Sequence, residues 1–474
     1  MLIIAFVLAM FAVMTVVAAR NPRAALLIVV FMAPWGGLDV DVGLRVTAYQ
    51  VALAPLCLVM LLRSTQPGWS PPRLAVGALF LAMIAHGVVW SLLQTAYIPI
   101  IRAGDSPLRG PVIRAVIQIP LYLFNFSPVV LAALLFRSVA DVVQAFRIYM
   151  AALVVLALIG WLQVVLWYGV GFNPIPVGIL NVALGGSEAY IREGQFGFEN
   201  FNIYRMNSFA GEPRNLATAL VLGMLVLQAL MLALRRPDWR LVGLWVFFFI
   251  TTLATFSTSG AVVWAAGTAA LLPAFWVGLI PIRRKVSTLF AALALILVPV
   301  ALGVVAAEAS GIPVIDLVAE RTFDRIESNG AVEDFDLAIS RYLSAHPESI
   351  VTGTGLGNAH LYGIPYLDPE HAVYAEGNVF QAKTGVVRIV SELGLIGLAL
   401  FGLWYLALVW QMRPVAMAHD DLAVAVPIAL LVLVVYMATI QIAGELWLMA
   451  GAMAALIRLR APRSADTQLR LLPA

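Results

Sequence analysis

Four arginines, one lysine and one glutamate stand where their types and spacing could do chemistry. Arg205 and Arg214 flank the start of a long apolar run, and Arg388 lies four residues before Glu392 inside another. Arg341 stands in a polar stretch between such runs. A guanidinium is planar, permanently charged and bidentate toward carboxylate or phosphate, so these positions could bind an anion. Interfacial arginines also snorkel without binding anything, and an internal Arg388–Glu392 pair would account for both of those residues. Lys383 and Lys285 are the only lysines among 29 basic residues. A desolvated lysine can act as a base, bind an anion as a point charge, or sit at an interface as an ordinary cation. Glu212, between Gly211 and Pro213, is a rival base, or a carboxylate favoured by a helix dipole just ahead of Arg214. His346, His360, His371 and Tyr366 are candidates for polar or stacking contacts with a ligand.

Other chemistries are excluded or unsupported. Cys57 is the only cysteine, and no histidine pair has the H-x-x-x-H spacing of a helical zinc site. No metal and no cofactor is expected. The glycines of Gly353-Thr-Gly355-Leu-Gly357 form a turn, but no strand precedes them and no Lys-Ser/Thr follows, as a phosphate loop would require.

The elements that must position these residues follow from composition. Of 474 residues, 62% are hydrophobic and only 12% charged, and the mean hydropathy is +0.94. A soluble chain carries about 45–50% apolar and about 25% charged residues. A soluble enzyme, a disordered chain and a nucleic-acid-binding domain are excluded. Apolar runs recur roughly every 25–35 residues, unlike the short alternating strands of a membrane barrel. The fold class is all-α: a polytopic membrane protein of about 13 (12–14) transmembrane helices with a large, partly helical outer loop. The expected spans are about 2–19, 24–38, 47–62, 74–97, 115–136, 148–169, 214–234, 240–257, 260–280, 286–306, 385–411, 422–441 and 443–458. The first reads as a retained helix and not a signal peptide, since no basic segment leads it.

Basic linkers at 20–23, 63–73, 137–147, 235–240 and 283–285, with Arg413 and the basic tail, mark the cytoplasmic side, and the N-terminus then lies outside. The chain divides into N-terminal helices over 1–306, including an outer loop at 170–213, a large outer loop at 307–384, and C-terminal helices with the tail over 385–474. The large loop holds 12 of the 26 acidic residues and three of the five histidines. Within it Phe335, Ile339, Tyr342 and His346 fall on one helical face, with Pro347 ending the helix and His346 packed against its neighbours.

Four passages together resemble the bacterial O-antigen ligase and polysaccharide polymerase family. They are Tyr204-Arg205-Met-Asn-Ser208-Phe-Ala-Gly211-Glu212-Pro213-Arg214-Asn215, Phe256-Ser257-Thr258-Ser259-Gly260, Ser340-Arg341…His346-Pro347…Gly353-Thr-Gly355-Leu-Gly357, and Glu392-Leu-Gly394-Leu-Ile-Gly397. The resemblance covers most of residues 200–410. It implies a GT-C-like membrane glycosyltransferase of the inner membrane that needs no metal and works at the periplasmic face. The implied donor and acceptor are undecaprenyl-pyrophosphate-linked glycans, with membrane lipid around them and a separate co-polymerase controlling chain length. Arg205, Arg214, Arg341 and Arg388 would then hold the donor pyrophosphate, Lys383 or Glu212 would serve as base, and His346, His360, Tyr366 and His371 would contact substrate.

The chain departs from the family's ligases at two places. Lys383-Thr384 stands where they carry His-Asn, eleven residues before Gly394, and Ser259-Gly260 replaces a Ser-Arg. Both differences favour a repeat-unit polymerase over an O-antigen ligase that delivers glycan to lipid A-core. The alternative from another class is a lipid-linked oligosaccharide flippase, for which internal repeats and broken helices around a midplane site would be expected.

Overall fold

The computed structural model describes residues 2–41, 45–66, 77–94, 111–171, 195–198, 201–234, 238–276, 334–368, 384–418 and 444–460, with isolated positions among 304–316 and at 382. The described residues are overwhelmingly helical. Nine helices come first: α1 (Leu2–Arg20), α2 (Pro22–Met32), α3 (Ala48–Ser64), α4 (Gly77–Gln94), α5 (Pro111–Leu135), α6 (Val139–Val170), α7 (Pro213–Ala233), α8 (Trp239–Ala254) and α9 (Thr258–Trp276). The stretch 334–363 supplies α10 (Asp334–Ala345), α11 (Pro347–Thr352) and α12 (Ala359–Gly363), and the chain continues in α13 (Gly385–Ala418) and α14 (Gly444–Arg460). Among the described residues, three helices are long and apolar enough to cross a membrane: α6, α7 and the stretch Gly385–Val415 of α13. Of the expected spans, 286–306 and 422–441 lie outside the described residues.

Helix α7 sits at the centre of one half of the bundle, with every residue from Leu216 to Leu230 buried. Glycines let its neighbours close on it. A Cβ at Gly223 would fall 2.6 Å from Leu153 of α6, and one at Gly260 of α9 would fall 2.7 Å from Ala217. Lipid tails are as apolar as leucine, so close van der Waals approach of this kind is what holds membrane helices together. In the other half, Phe80 of α4 stacks on Phe126 of α5 with ring centroids 4.1 Å apart. Trp404 of α13 and Trp447 of α14 close around that pair.

One end of the bundle is stitched by arginines. Arg63 donates to the Ala19 carbonyl at 2.6 Å, Arg23 pairs with Asp141 at 2.8 Å, and Arg458 donates to the Phe136 carbonyl at 3.0 Å. Arg23, Arg63 and Arg458 thus lie at the same end of the described bundle.

Three local features differ from the sequence expectation. Helix α6 starts nine residues before the expected 148, because Ser138 and Asp141 form a reciprocal capping box. A search for apolar runs passes over those polar first turns. Helix α2 stops at Met32, ahead of Pro34 and the Gly36-Gly37 pair. Two antiparallel hairpins interrupt the all-helical pattern: β1 (Asp39–Asp41) with β2 (Arg45–Thr47), and β3 (Gln195–Phe198) with β4 (Phe201–Tyr204).

Candidate functional site

Helix α13 is broken at Gly394, whose backbone (φ 69°, ψ −173°) is not helical. Such angles are accessible essentially to glycine alone. The break frees the carbonyls of Ser391, Glu392 and Leu393, and buried carbonyls need partners. The Thr354 amide and hydroxyl both donate to Ser391 O at 2.8 Å. The Gly355 amide donates to Glu392 O at 2.9 Å. His86 of α4 meets Leu393 O at 3.1 Å.

The glycine turn is therefore a docking device. Gly353, Gly355 and Gly357 all have positive φ, and a Cβ at Gly353 would lie 2.5 Å from the Glu392 carbonyl group. Helix α4 grips the same turn. Trp90 Nε1 donates to Gly353 O at 2.6 Å, and the Leu356 amide donates to Ser91 Oγ at 2.8 Å. The other end of the half-helix before the break, Gly385–Leu393, is held as well. Asp336 of α10 accepts from the Thr384 amide at 2.9 Å and from its hydroxyl at 2.5 Å, capping α13 from outside.

Within that half-helix Arg388 and Glu392 pair at 3.5 Å, as the i,i+4 spacing predicts. The Glu392 carboxylate is 2% exposed. Its second oxygen accepts from the Tyr122 hydroxyl of α5 at 2.8 Å. Arg388 is held here by protein groups, and its side chain keeps 17% exposure.

On the loop, Arg341 pairs with Asp368 at 2.9 Å and donates to the Tyr366 carbonyl at 3.2 Å. Phe335, Ile339 and Tyr342 are buried on one face of α10, as the periodicity predicts. His346 departs from that expectation. Helix α10 ends at Ala345 and Pro347 opens α11, so His346 does not continue the buried stripe. Its side chain is 46% exposed, lies 3.3 Å from Glu348 and packs at a tilt against the Tyr342 ring, centroids 4.9 Å apart. Tyr342 is the hub, with the Tyr362 and Tyr366 rings at 5.1 and 5.8 Å.

Burial pushes the Tyr342 and Tyr362 phenols above the usual value of 10.0. A group raised in the folded state keeps its full contribution below its unfolded pKa and loses it as pH climbs through the folded one. Melting of this loop, followed by tyrosine absorbance, is expected to be insensitive to phenol ionisation below about pH 10 and to fall in temperature above it.

The second arginine setting lies beside α7. Residues 204–208 thread between α6 and α8. The Tyr204 amide donates to the Tyr168 hydroxyl at 3.2 Å, the Met206 amide to Ala254 O at 3.3 Å, and the Ser208 amide to Gln163 Oε1 at 2.9 Å. Arg205 Nε reaches the Thr255 carbonyl at 3.4 Å. Gly37 is required by contact: a Cβ on it would fall 2.3 Å from the Gly211 Cα. Glu212 takes the N-cap position of α7 without capping it, and its carboxylate pairs with the Arg214 guanidinium.

The structure thus joins Glu212 to Arg214, Arg388 to Glu392, and Arg341 to Tyr366 and Asp368. Lys383 and His371 lie outside the described residues, and His360 is on α12 with its side chain outside them. Sequence reasoning missed Asp336, Tyr122, Trp90 and Ser91. An acid beside Phe335 on a buried helical face was the signal for Asp336. Tyr122 offered none, because its partner is 270 residues away. No protein-family model matches the chain, and comparison with curated proteins returns no match.

Proposed function

We propose that this chain is an inner-membrane polymerase that joins undecaprenyl-pyrophosphate-linked oligosaccharide repeats into a surface or exopolysaccharide at the periplasmic face. The single observation that carries this reading is the outer half-helix 385–393, which follows Lys383 directly and is clasped by the loop at both ends. Below its break, the 18 residues Leu395–Met412 carry no charge. At about 1.5 Å per residue they span about 27 Å, close to a hydrocarbon core. Arg388 then lies at headgroup depth, where a lipid diphosphate would sit.

In the proposed reaction, an acceptor hydroxyl attacks the anomeric carbon of the donor sugar. The bond from that carbon to the diphosphate oxygen breaks, and undecaprenyl diphosphate leaves with the electron pair. Arginines stabilise the negative charge that builds on the diphosphate. Lys383 or Glu212 takes the hydroxyl proton. The lysine in place of the ligases' histidine favours polymerase over ligase.

One observation favours the flippase reading, namely the broken helix. Its freed carbonyls are occupied by Thr354, Gly355 and His86, and the break falls at the outer end of the uncharged stretch. A transport site would leave such groups facing a midplane cavity.

The test is purified protein in liposomes with a synthetic lipid-linked repeat and no nucleotide sugar. A ladder of longer lipid-linked products is expected. Transfer only to lipid A-core would identify a ligase, and translocation without a new glycosidic bond would identify a flippase. In the same assay Arg205→Ala is expected to lower the rate by about 10²–10³-fold, as for loss of one transition-state charge partner, with membrane insertion intact. Unchanged turnover would remove Arg205 from the site.

A further inference from the structure

We propose that His86 of α4 is a positioning residue that fixes the outer half of α13 and, through it, the placement of Arg388. This rests on the diphosphate-binding reading above. A carbonyl can only accept, so the 3.1 Å contact between His86 Nε2 and Leu393 O assigns the hydrogen to Nε2. Leu393 O is the last of the three carbonyls freed by the break, and the other two are taken by the loop turn. His86 is thus the contact that ties the broken end to the membrane bundle itself.

Its neighbours on α4 extend the tie. Trp90, one turn further, holds Gly353 O, and Ser91 holds the Leu356 amide. Gly87 lets the helices close: a Cβ there would fall 2.5 Å from the Leu393 side chain and 2.8 Å from Leu356. Arg388 and Glu392 occupy the turn of α13 just before Leu393, and Tyr122 fixes Glu392 from α5. Once His86 no longer holds Leu393 O, the half-helix loses its register against α4, and the Thr354 and Gly355 amides that dock on it open more often. The partly exposed Arg388 guanidinium, placed by its pairing with Glu392, then loses its fixed position.

The test compares wild type, His86→Gln and His86→Leu as full chains in lipid nanodiscs. Glutamine can place an amide N–H near the Nε2 position, whereas leucine fills space without a donor. Two readouts are taken: amide hydrogen exchange at Thr354 and Gly355, and the Kd for farnesyl diphosphate as a short polyprenyl diphosphate probe. His86→Leu is expected to speed exchange at both amides by about tenfold, the effect of losing one buried hydrogen bond, with the α7 amides unchanged. It is also expected to weaken the probe by about tenfold, while His86→Gln stays near wild type. Unchanged exchange in His86→Leu, or faster exchange with unchanged probe affinity, overturns the positioning role. Glutamine failing as leucine does overturns the donor assignment. Wild type that does not bind the probe overturns the diphosphate reading and the positioning role with it, and the exchange result then bears on the clasp alone.

Discussion

Gly394→Ala is expected to leave little folded protein. The residue's φ of 69° and ψ of −173° lie where a side chain is strongly disfavoured. A Cβ there would fall 2.2 Å from the Val351 carbonyl oxygen and 2.6 Å from the Gly353 amide nitrogen. Both are backbone atoms of the docked loop, so neither can swing aside as a side-chain tip would. Strain and overpacking together are expected to cost about 3–5 kcal/mol. The readout is thermal melting in detergent, with loop proteolysis as a second measure. Gly402→Ala is the control on the same helix: a Cβ there meets nothing within 4 Å, and the change is expected to be neutral or to stabilise by up to about 1 kcal/mol. Equal melting of the two variants would show that the break does not depend on glycine.

The second large effect belongs to Glu392. Glu392→Ala strands the Arg388 guanidinium and the Tyr122 hydroxyl in a buried setting. Removing one partner of such a pair typically costs about 3–5 kcal/mol, mostly from the charge left behind. Arg388→Met combined with Glu392→Leu removes both charges and is expected to recover most of that stability. Polymerising activity is expected to stay lost in the double variant, since the proposed donor contact goes with Arg388. A double variant as unstable as the single one would show that the two residues are not energetically coupled. A stable and active double variant would reduce the pair to packing.

Much of the framework was legible in sequence because its signals are local. Apolar runs located most of the described helices. The phase of Phe335, Ile339 and Tyr342 located the buried face of α10. The i,i+4 spacing of Arg388 and Glu392 announced their pair. What escaped was set by residues distant in the chain. The glycines of 353–357 read as a bare turn because their partners are the carbonyls at 391–393, freed by a break that only the fold reveals. Gly394 lies in an apolar run that gives no hint of a kink, since glycine is common in membrane helices. His346 was misplaced because helical phase was carried one residue past the true end of α10. The capping box at Ser138 was present in the sequence, but it is a polar signal, and the search for apolar runs does not register it.

The burial of α7 bears on how the chain is made. Its apolar surface faces protein along its whole middle, from Leu216 to Leu230, yet it is apolar enough to cross a membrane unaided. In a membrane-inserted chain it would leave the ribosome before α8 and α9 exist to cover it, so lipid would be its first solvent and protein its last. The hydrophobicity of this helix is then an instruction for insertion, spent before folding is complete. Polar substitutions on it would act first on the yield of inserted chain, and only afterwards on the stability of the finished bundle.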